Sequence, residues 1–380
     1  MTRRCFLHVG CPKTGTTYLQ NVLWSSRPAL EKQGVRLPMH RPRDHFWMTL
    51  VLRDRLDPAL DSPAAYGVLD RLEAALSEAG DDDLLVSHEL LAPVRPHGIA
   101  RLMQMLDDFE VHVVITARDL YRQVPAEWQQ HVKTRSVKTF QEFLTWLREE
   151  PAAHFWLAQD VADIAQRWSA GLPSQRVHIV TVPPAGAPPV LLLERFCSVL
   201  GVEPWTLESD VSRTNPSLGA GQVELLRRVN VALGDRLPHP RAGYNKVAKQ
   251  WFAEEVLAQQ RGGRLSLSAS ELDWVEQRSR TMVGRIARAG YEIVGDLDDL
   301  LMPRPSTPDR TPAPTDTALL EVAVEAFACV LEMRRAEVEE HRAQVSALRR
   351  EVAGLRCELT AARQSPLHRL RDRVGGRRRG

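Results

Sequence analysis

Over the first 300 positions, short unbroken apolar runs alternate with stretches whose apolar residues recur every three or four places. The short runs read as strands buried on both faces, at residues 5–9, 84–87, 111–116 and 177–182, with a weaker one at 35–37. Between them the period predicts helices over 16–26, 63–78, 97–106 and 153–170, and Leu19, Val22 and Leu23 form the buried stripe of the first. Strands alternating with helices predict a central, mostly parallel sheet in three layers. Beyond residue 190 the strands stop and helical period takes over, at Val223, Leu226, Val229, Asn230 and Leu233 and again over 272–286. This part is expected to form a helical cap.

Residues 303–315 read PRPSTPDRTPAPT, a run too rich in proline for either pattern. It divides the chain into an α/β domain over 1–300, a linker over 301–316, a helix over 317–364 and a tail over 365–380. In that helix, expected to be capped by Asp316, apolar residues repeat every seven places: Val324, Leu331, Val338, Val345, Val352 and Leu359, then Leu320, Phe327, Leu348 and Leu355. Valine at the first heptad position and leucine at the second favour a parallel two-stranded coiled coil. Glu337, Glu351 and Glu358 each precede Arg342, Arg356 or Arg363 by five residues, so an in-register homodimer would set opposite charges across its seam. Arg334 and His341 interrupt the second position, and a lone amphipathic helix is the plainer alternative. The tail, HRLRDRVGGRRRG, suits an acidic partner or an anionic membrane surface.

The chain has 380 residues, 43% hydrophobic and 26% charged, and no apolar run approaches the ~18 residues of a spanning helix. Its start has too few apolar residues for a secretory signal, and five scattered cysteines form no CxxC pair, so a cytoplasmic protein is expected, peripheral to a membrane if the tail binds one. Residues 1–300 carry 35 Lys and Arg against 37 Asp and Glu, which argues against nucleic-acid binding by the body. Only six basic residues are lysine, so the position of Lys13 carries weight.

The first predicted strand ends in Gly10-Cys11-Pro12-Lys13-Thr14-Gly15-Thr16-Thr17 and enters a helix directly. A helix start offers outward N–H groups and a positive dipole end, so a Gly-containing loop there cradles anions. Against GxxxxGK[ST], Gly10, Gly15 and Thr17 stand in place, but Thr16 occupies the lysine position and the lysine lies inside the loop at 13. From there an amine reaches the oxygen that bridges the first phosphorus to the next group. That suits a nucleotide whose 5'-phosphate carries one transferable group.

With HVGCPKTGTTYLQ the chain resembles the sulfotransferases that use 3'-phosphoadenosine 5'-phosphosulfate, bacterial members above all. The resemblance spans about residues 1–300. It implies a P-loop-NTPase-like fold, a 5'-phosphosulfate loop of Pro12, Lys13, Thr14, Gly15, Thr16 and Thr17, and Arg118 on the donor's 3'-phosphate. A family serine eight residues after that arginine is replaced by Ala126; loss of one hydrogen bond to a charged group costs about 1.5–3 kcal/mol unless Arg122, Gln123, Trp128 or Gln129 substitutes.

Sulfuryl transfer to a hydroxyl or amine needs a base beside the loop, at the carboxyl end of the sheet. LLVSHELL supplies His88, the first choice, and Glu89, its competitor; alternation along an extended segment lets only one of them face the donor. His8, His112 and His178 lie inside apolar runs and read as packed. The expected reaction is an in-line displacement with Lys13 stabilising the leaving oxygen, no metal, and a small-molecule or carbohydrate acceptor. Two alternatives stand beside it: a small-molecule phosphotransferase with Asp119 as its acidic residue, and a non-catalytic adaptor dimerised by the coiled coil.

Overall fold

The apolar run at 5–9 becomes the central strand of the sheet, β1 (Arg4–Gly10), and the rest of the chain winds outward from it. The computed structural model describes residues 3–150, 153–188, 190–210, 217–237, 240–263, 265–301 and 314–364. After β1 come α1 (Thr16–Ser25), α2 (Arg27–Glu31), β2 (Val35–Arg36), α3 (Pro42–Leu52), α4 (Val68–Ser77) and β3 (Asp83–Ser87). Then follow α5 (Pro96–Met105), β4 (Glu110–Ala117), α6 (Leu120–Lys133), α7 (Phe140–Glu149), α8 (His154–Gln159), α9 (Val161–Trp168) and β5 (Val177–Thr181). The series closes with α10 (Val190–Leu200), α11 (Ala220–Leu233), a π-helical segment (Pro240–Val256), α12 (Ala269–Ala289), β6 (Glu292–Val294) and α13 (Asp316–Gln364).

The six strands are all parallel, in the order β2-β3-β1-β4-β5-β6. Side chains alternate across the pleat, and both faces are dry. Phe6, Leu85, Val114 and Val180 pack with Leu19, Val22 and Leu23 of α1 and Leu193 and Phe196 of α10. The alternate positions, among them Leu7, Val86, Val113 and Ile179, are equally buried. The expected α/β architecture is therefore the one adopted. Its order reverses at β1, whose neighbours β3 and β4 follow it in sequence, and in open parallel sheets the carboxyl ends of the strands at such a point are where ligands bind.

The structure departs from the sequence reading in four places. Strands do not stop at residue 190: β6 adds a parallel edge to β5, pairing Ile179 with Ile293. Residues 63–78 divide into a 3₁₀ turn (Pro63–Ala65) and α4. Residues 153–170 divide into α8 and α9 because Asp160 leaves helical geometry, accepts the Asp163 amide at 3.0 Å and caps the second helix. Asp316 does not cap α13; the Thr315 hydroxyl does, accepting from the Ala318 amide at 3.2 Å.

Residues 1–319 and 320–380 form separate compact units. In the second, α13 continues to Gln364. Most of the linker, residues 302–313, the tail 365–380 and the Arg363 side chain lie outside the described residues. Among the described residues no helix is long and apolar enough to cross a membrane.

Candidate functional site

The loop after β1 is shaped by two glycines. Gly10 has φ +117° and Gly15 has φ +87°, where side chains are strained, and a Cβ on Gly15 would stand 2.6 Å from Leu192 Cδ2. Lys13 also has positive φ, 64°, without being glycine. Gly15 opens α1 with no side-chain cap, and the first turn holds no acidic residue. The first intrahelical bond runs from Leu19 N to the Gly15 carbonyl, 3.0 Å, so the amides ahead of it lie beyond the helix's own ladder at the positive end of its dipole.

Beneath the loop a buried polar chain crosses three strands. His8 Nδ1 lies 2.8 Å from Ser87 Oγ on β3, and its Nε2 lies 3.2 Å from Thr116 Oγ1 on β4. Thr116 Oγ1 donates to the Gly10 carbonyl at 3.0 Å and lies 2.6 Å from Thr14 Oγ1, which itself donates to the Cys11 carbonyl at 2.5 Å. Burial lowers the His8 imidazole to about 4, so the ring is neutral at pH 7. The Thr14 hydroxyl thus faces the sheet and braces the loop. From the other side, Gln123 Nε2 donates to the Pro12 carbonyl and, at 2.6 Å, to Gln159 Oε1.

Lys13 reaches toward α6. Its Nζ donates to Gln130 Oε1 at 2.7 Å. One turn earlier on that helix sits Glu127, 8% exposed, whose Oε1 is buried with no hydrogen-bond partner. Burial raises the Glu127 carboxyl to about 7, against the pull of Lys13 and with a push from Glu89; burial also lowers Lys13, against the pull of Glu127. Lys133 and Lys249 act on the same region. Lys133 is 3.7 Å from Glu254 Oε1, and burial brings it down to about 8. Three of the chain's six lysines thus converge here.

At the end of β4, Arg118 Nη1 donates to the Lys13 carbonyl at 3.0 Å, and its Nε is buried without a partner. Burial lowers this guanidinium to about 10, still charged at neutral pH. Ala126 lies on α6 with four polar residues near it in sequence, three of which have work elsewhere. Gln123 holds the loop, Trp128 Nε1 donates to the Lys138 carbonyl at 3.0 Å, and Gln129 Oε1 accepts from Leu218 N at 3.3 Å. Arg122 donates through Nε to Asp119 and through Nη1 to Pro183, and keeps Nη2 buried with no partner. Buried orphan guanidinium nitrogens on Arg118 and Arg122 fit a doubly charged phosphate.

At the end of β3, His88 and Glu89 lie close together, His88 Nδ1 standing 3.8 Å from Glu89 Oε2. Burial lowers the His88 imidazole, opposed by Glu89 and aided by Arg53. Burial pushes Glu89 up, but His88 and the Gln20 amide, 2.9 Å from Oε2, outweigh it and hold the carboxyl below its ordinary value. His88 Nδ1 also accepts the Leu90 amide at 3.1 Å, so the neutral ring carries its proton on Nε2. Among the described residues no group of three or more His, Cys, Asp or Glu is arranged to hold a metal ion.

The residues singled out in the sequence therefore fall on three adjacent strand ends. Missed were Glu127, Gln130 and Gln159, which belong to no motif; for the first two, only their helix following a strand that ends in arginine pointed toward them, while Gln123 was named for another role.

The fold and this site define a parallel α/β protein with a glycine-framed loop and a helix start at its switch point. No protein-family model and no curated protein matches the chain. Among solved structures it is similar to a sulfotransferase from Alicyclobacillus acidocaldarius, with 16% identity and a TM-score of 0.36, over 62% of this chain and 96% of that one.

Proposed function

We propose that this protein is a sulfotransferase that moves a sulfuryl group from 3'-phosphoadenosine 5'-phosphosulfate to a hydroxyl or amine of a small-molecule or carbohydrate acceptor. The observation that carries the reading is Lys13 inside the loop that enters α1 at Gly15, with Arg118 bonded to the Lys13 carbonyl. An anion at that helix end meets backbone amides and one ammonium, the set needed to stabilise charge on a bridging oxygen. The bound donor supplies the sulfuryl group, and its 3'-phosphate falls to Arg118 and Arg122.

The acceptor's proton is assigned to the pair at the end of β3. His88 Nδ1 is engaged by Leu90 and the neutral ring's other nitrogen bears the proton, so Glu89 is the group with a free lone pair. Using His88 requires release of the Leu90 bond. Release of adenosine 3',5'-bisphosphate from the donor, measured with a panel of phenols, alcohols and sugars, tests the function. Lys13→Ala should lose at least about 100-fold while melting cooperatively, the scale of one lost transition-state donor. Glu89→Gln should lose more than His88→Asn. Wild-type protein that releases no product with any acceptor, or Lys13→Ala that releases it at the wild-type rate, contradicts the reading.

Thr16 in place of the lysine, and Asp119 committed to capping α6 and to Arg122, disfavour the phosphotransferase alternative. We further propose that α13 pairs with a second copy. Leu320, Val324, Phe327, Leu331, Val345, Leu348, Val352, Leu355 and Leu359 are each 47–71% exposed, and all of them are heptad positions.

A further inference from the structure

Glu127 is a buried acid at the loop that the proposed reaction does not use, and unlike Asp119 and Asp160 it has no arginine partner. It sits on the face of α6 that meets Lys13: Gln130, one turn on, holds the Lys13 amine at 2.7 Å, while the Glu127 carboxylate keeps an oxygen buried and unbonded. A buried carboxylate with an oxygen left unbonded persists as an anion only beside a cation, and the cation acting on Glu127 is Lys13.

We propose that Glu127 is the proton-linked counter-ion of the phosphate loop: it balances the Lys13 ammonium, and it takes up one proton when an anionic nucleotide binds there. The inference rests on the donor-binding reading above. A second anion beside Lys13 repels the Glu127 carboxylate and claims the ammonium that sustained it; protonation from solvent removes the repulsion and leaves a neutral acid. Glu127 is a positioning residue acting through Lys13, not one that touches the transferred group.

The charged surroundings favour this site over its neighbours. Lys13 and Cys11 face Glu127 from the loop, and Glu89 faces it from the end of β3. Burial holds the Cys11 thiol far above its ordinary range, so it stays neutral. Glu89 is held low by His88 and Gln20 and keeps its charge. On the π-helical segment, Lys249 and Glu254 act on Lys13. Arg278 and Arg285 of α12 are engaged by Asp160, Glu224 of α11 by Arg227 and Arg228, and Glu142 of α7 by Thr139. Glu127 is left as the acid whose ordinary state, near neutral pH, is divided between two charges.

The test is calorimetric titration of the full chain with adenosine 3',5'-bisphosphate at pH 8, where the ligand's phosphates are fully ionised, in buffers of different ionisation enthalpy. Arginine at position 13 cannot lose its proton, so Lys13→Arg isolates Glu127 from Lys13. Wild type and Lys13→Arg should each take up close to one proton on binding, and Lys13→Arg/Glu127→Gln none. From pH 7 to pH 8 binding by Lys13→Arg should weaken about fivefold relative to the double variant, as follows for an acid titrating near 7 that must be protonated in the complex. Binding without uptake in Lys13→Arg, or equal uptake in the double variant, overturns the proposal and leaves the donor-binding reading intact. No heat with any of the three proteins overturns both.

Discussion

Lys13 is held by groups that no motif contains, and the consequences reach beyond the loop. The Glu127 carboxyl titrates at about 7 in the fold and near 4.5 when unfolded. Between those values the folded state keeps the proton that the unfolded state loses, so this group subtracts stability as pH rises through the window, and the cost is complete above 7. Glu127→Gln escapes that cost. Denaturant unfolding should show the variant gaining about 2 kcal/mol on wild type between pH 5 and pH 8; a gap that stays constant with pH contradicts the assignment. The sequence displayed Lys13 because strand, glycines and threonines frame it, and it displayed Arg118 because a buried strand ends there. It could not display Glu127 or Gln130. Their importance comes from the turn of α6 that faces the loop, and a glutamate at that position in a lone sequence reads as an ordinary surface charge.

At the level of elements, the loop is a part clamped between two others. Gln123 of α6 and Gln159 of α8 meet each other and the Pro12 carbonyl, while Thr116 of β4 holds the Gly10 carbonyl. Gln123→Ala removes a donor without touching the amides at the start of α1. It should weaken binding of adenosine 3',5'-bisphosphate about tenfold, in line with one lost hydrogen bond of ~1.4 kcal/mol, and leave the unfolding transition cooperative. Unchanged affinity would show that the loop holds its shape alone. The strands around this clamp were legible because buried parallel strands are continuous apolar runs. β6 was not: it has three residues, Glu292–Val294, and borrows its register from β5. The break at Asp160 was hidden for a similar reason, since Ile164, Ala165 and Trp168 continue the apolar period past it. What stops the first helix is the carboxylate itself, which caps α9 and receives Arg278 and Arg285.

On the scale of the whole molecule, α13 presents a stripe of exposed apolar side chains that water disfavours and that a second copy would cover. In the proposed parallel pair, Glu337 with Arg342 and Glu351 with Arg356 would set the register. Sedimentation of the full chain should give a dimer, and Leu348→Glu, at the heptad core, should shift it to monomer at micromolar concentration with the thermal transition of residues 1–319 unchanged. A monomeric wild type contradicts the pairing. Heptad spacing was readable from sequence alone; that the stripe lies exposed along a 49-residue helix required the structure.

The most direct measurement is heat release when the purified full chain is titrated with adenosine 3',5'-bisphosphate beside ADP. Saturable binding of the bisphosphate, tighter than ADP by about tenfold or more for its second phosphate on Arg118 and Arg122, and abolished by Lys13→Ala, is the predicted result. Equal affinity for the two nucleotides, or none for the bisphosphate, would contradict the account.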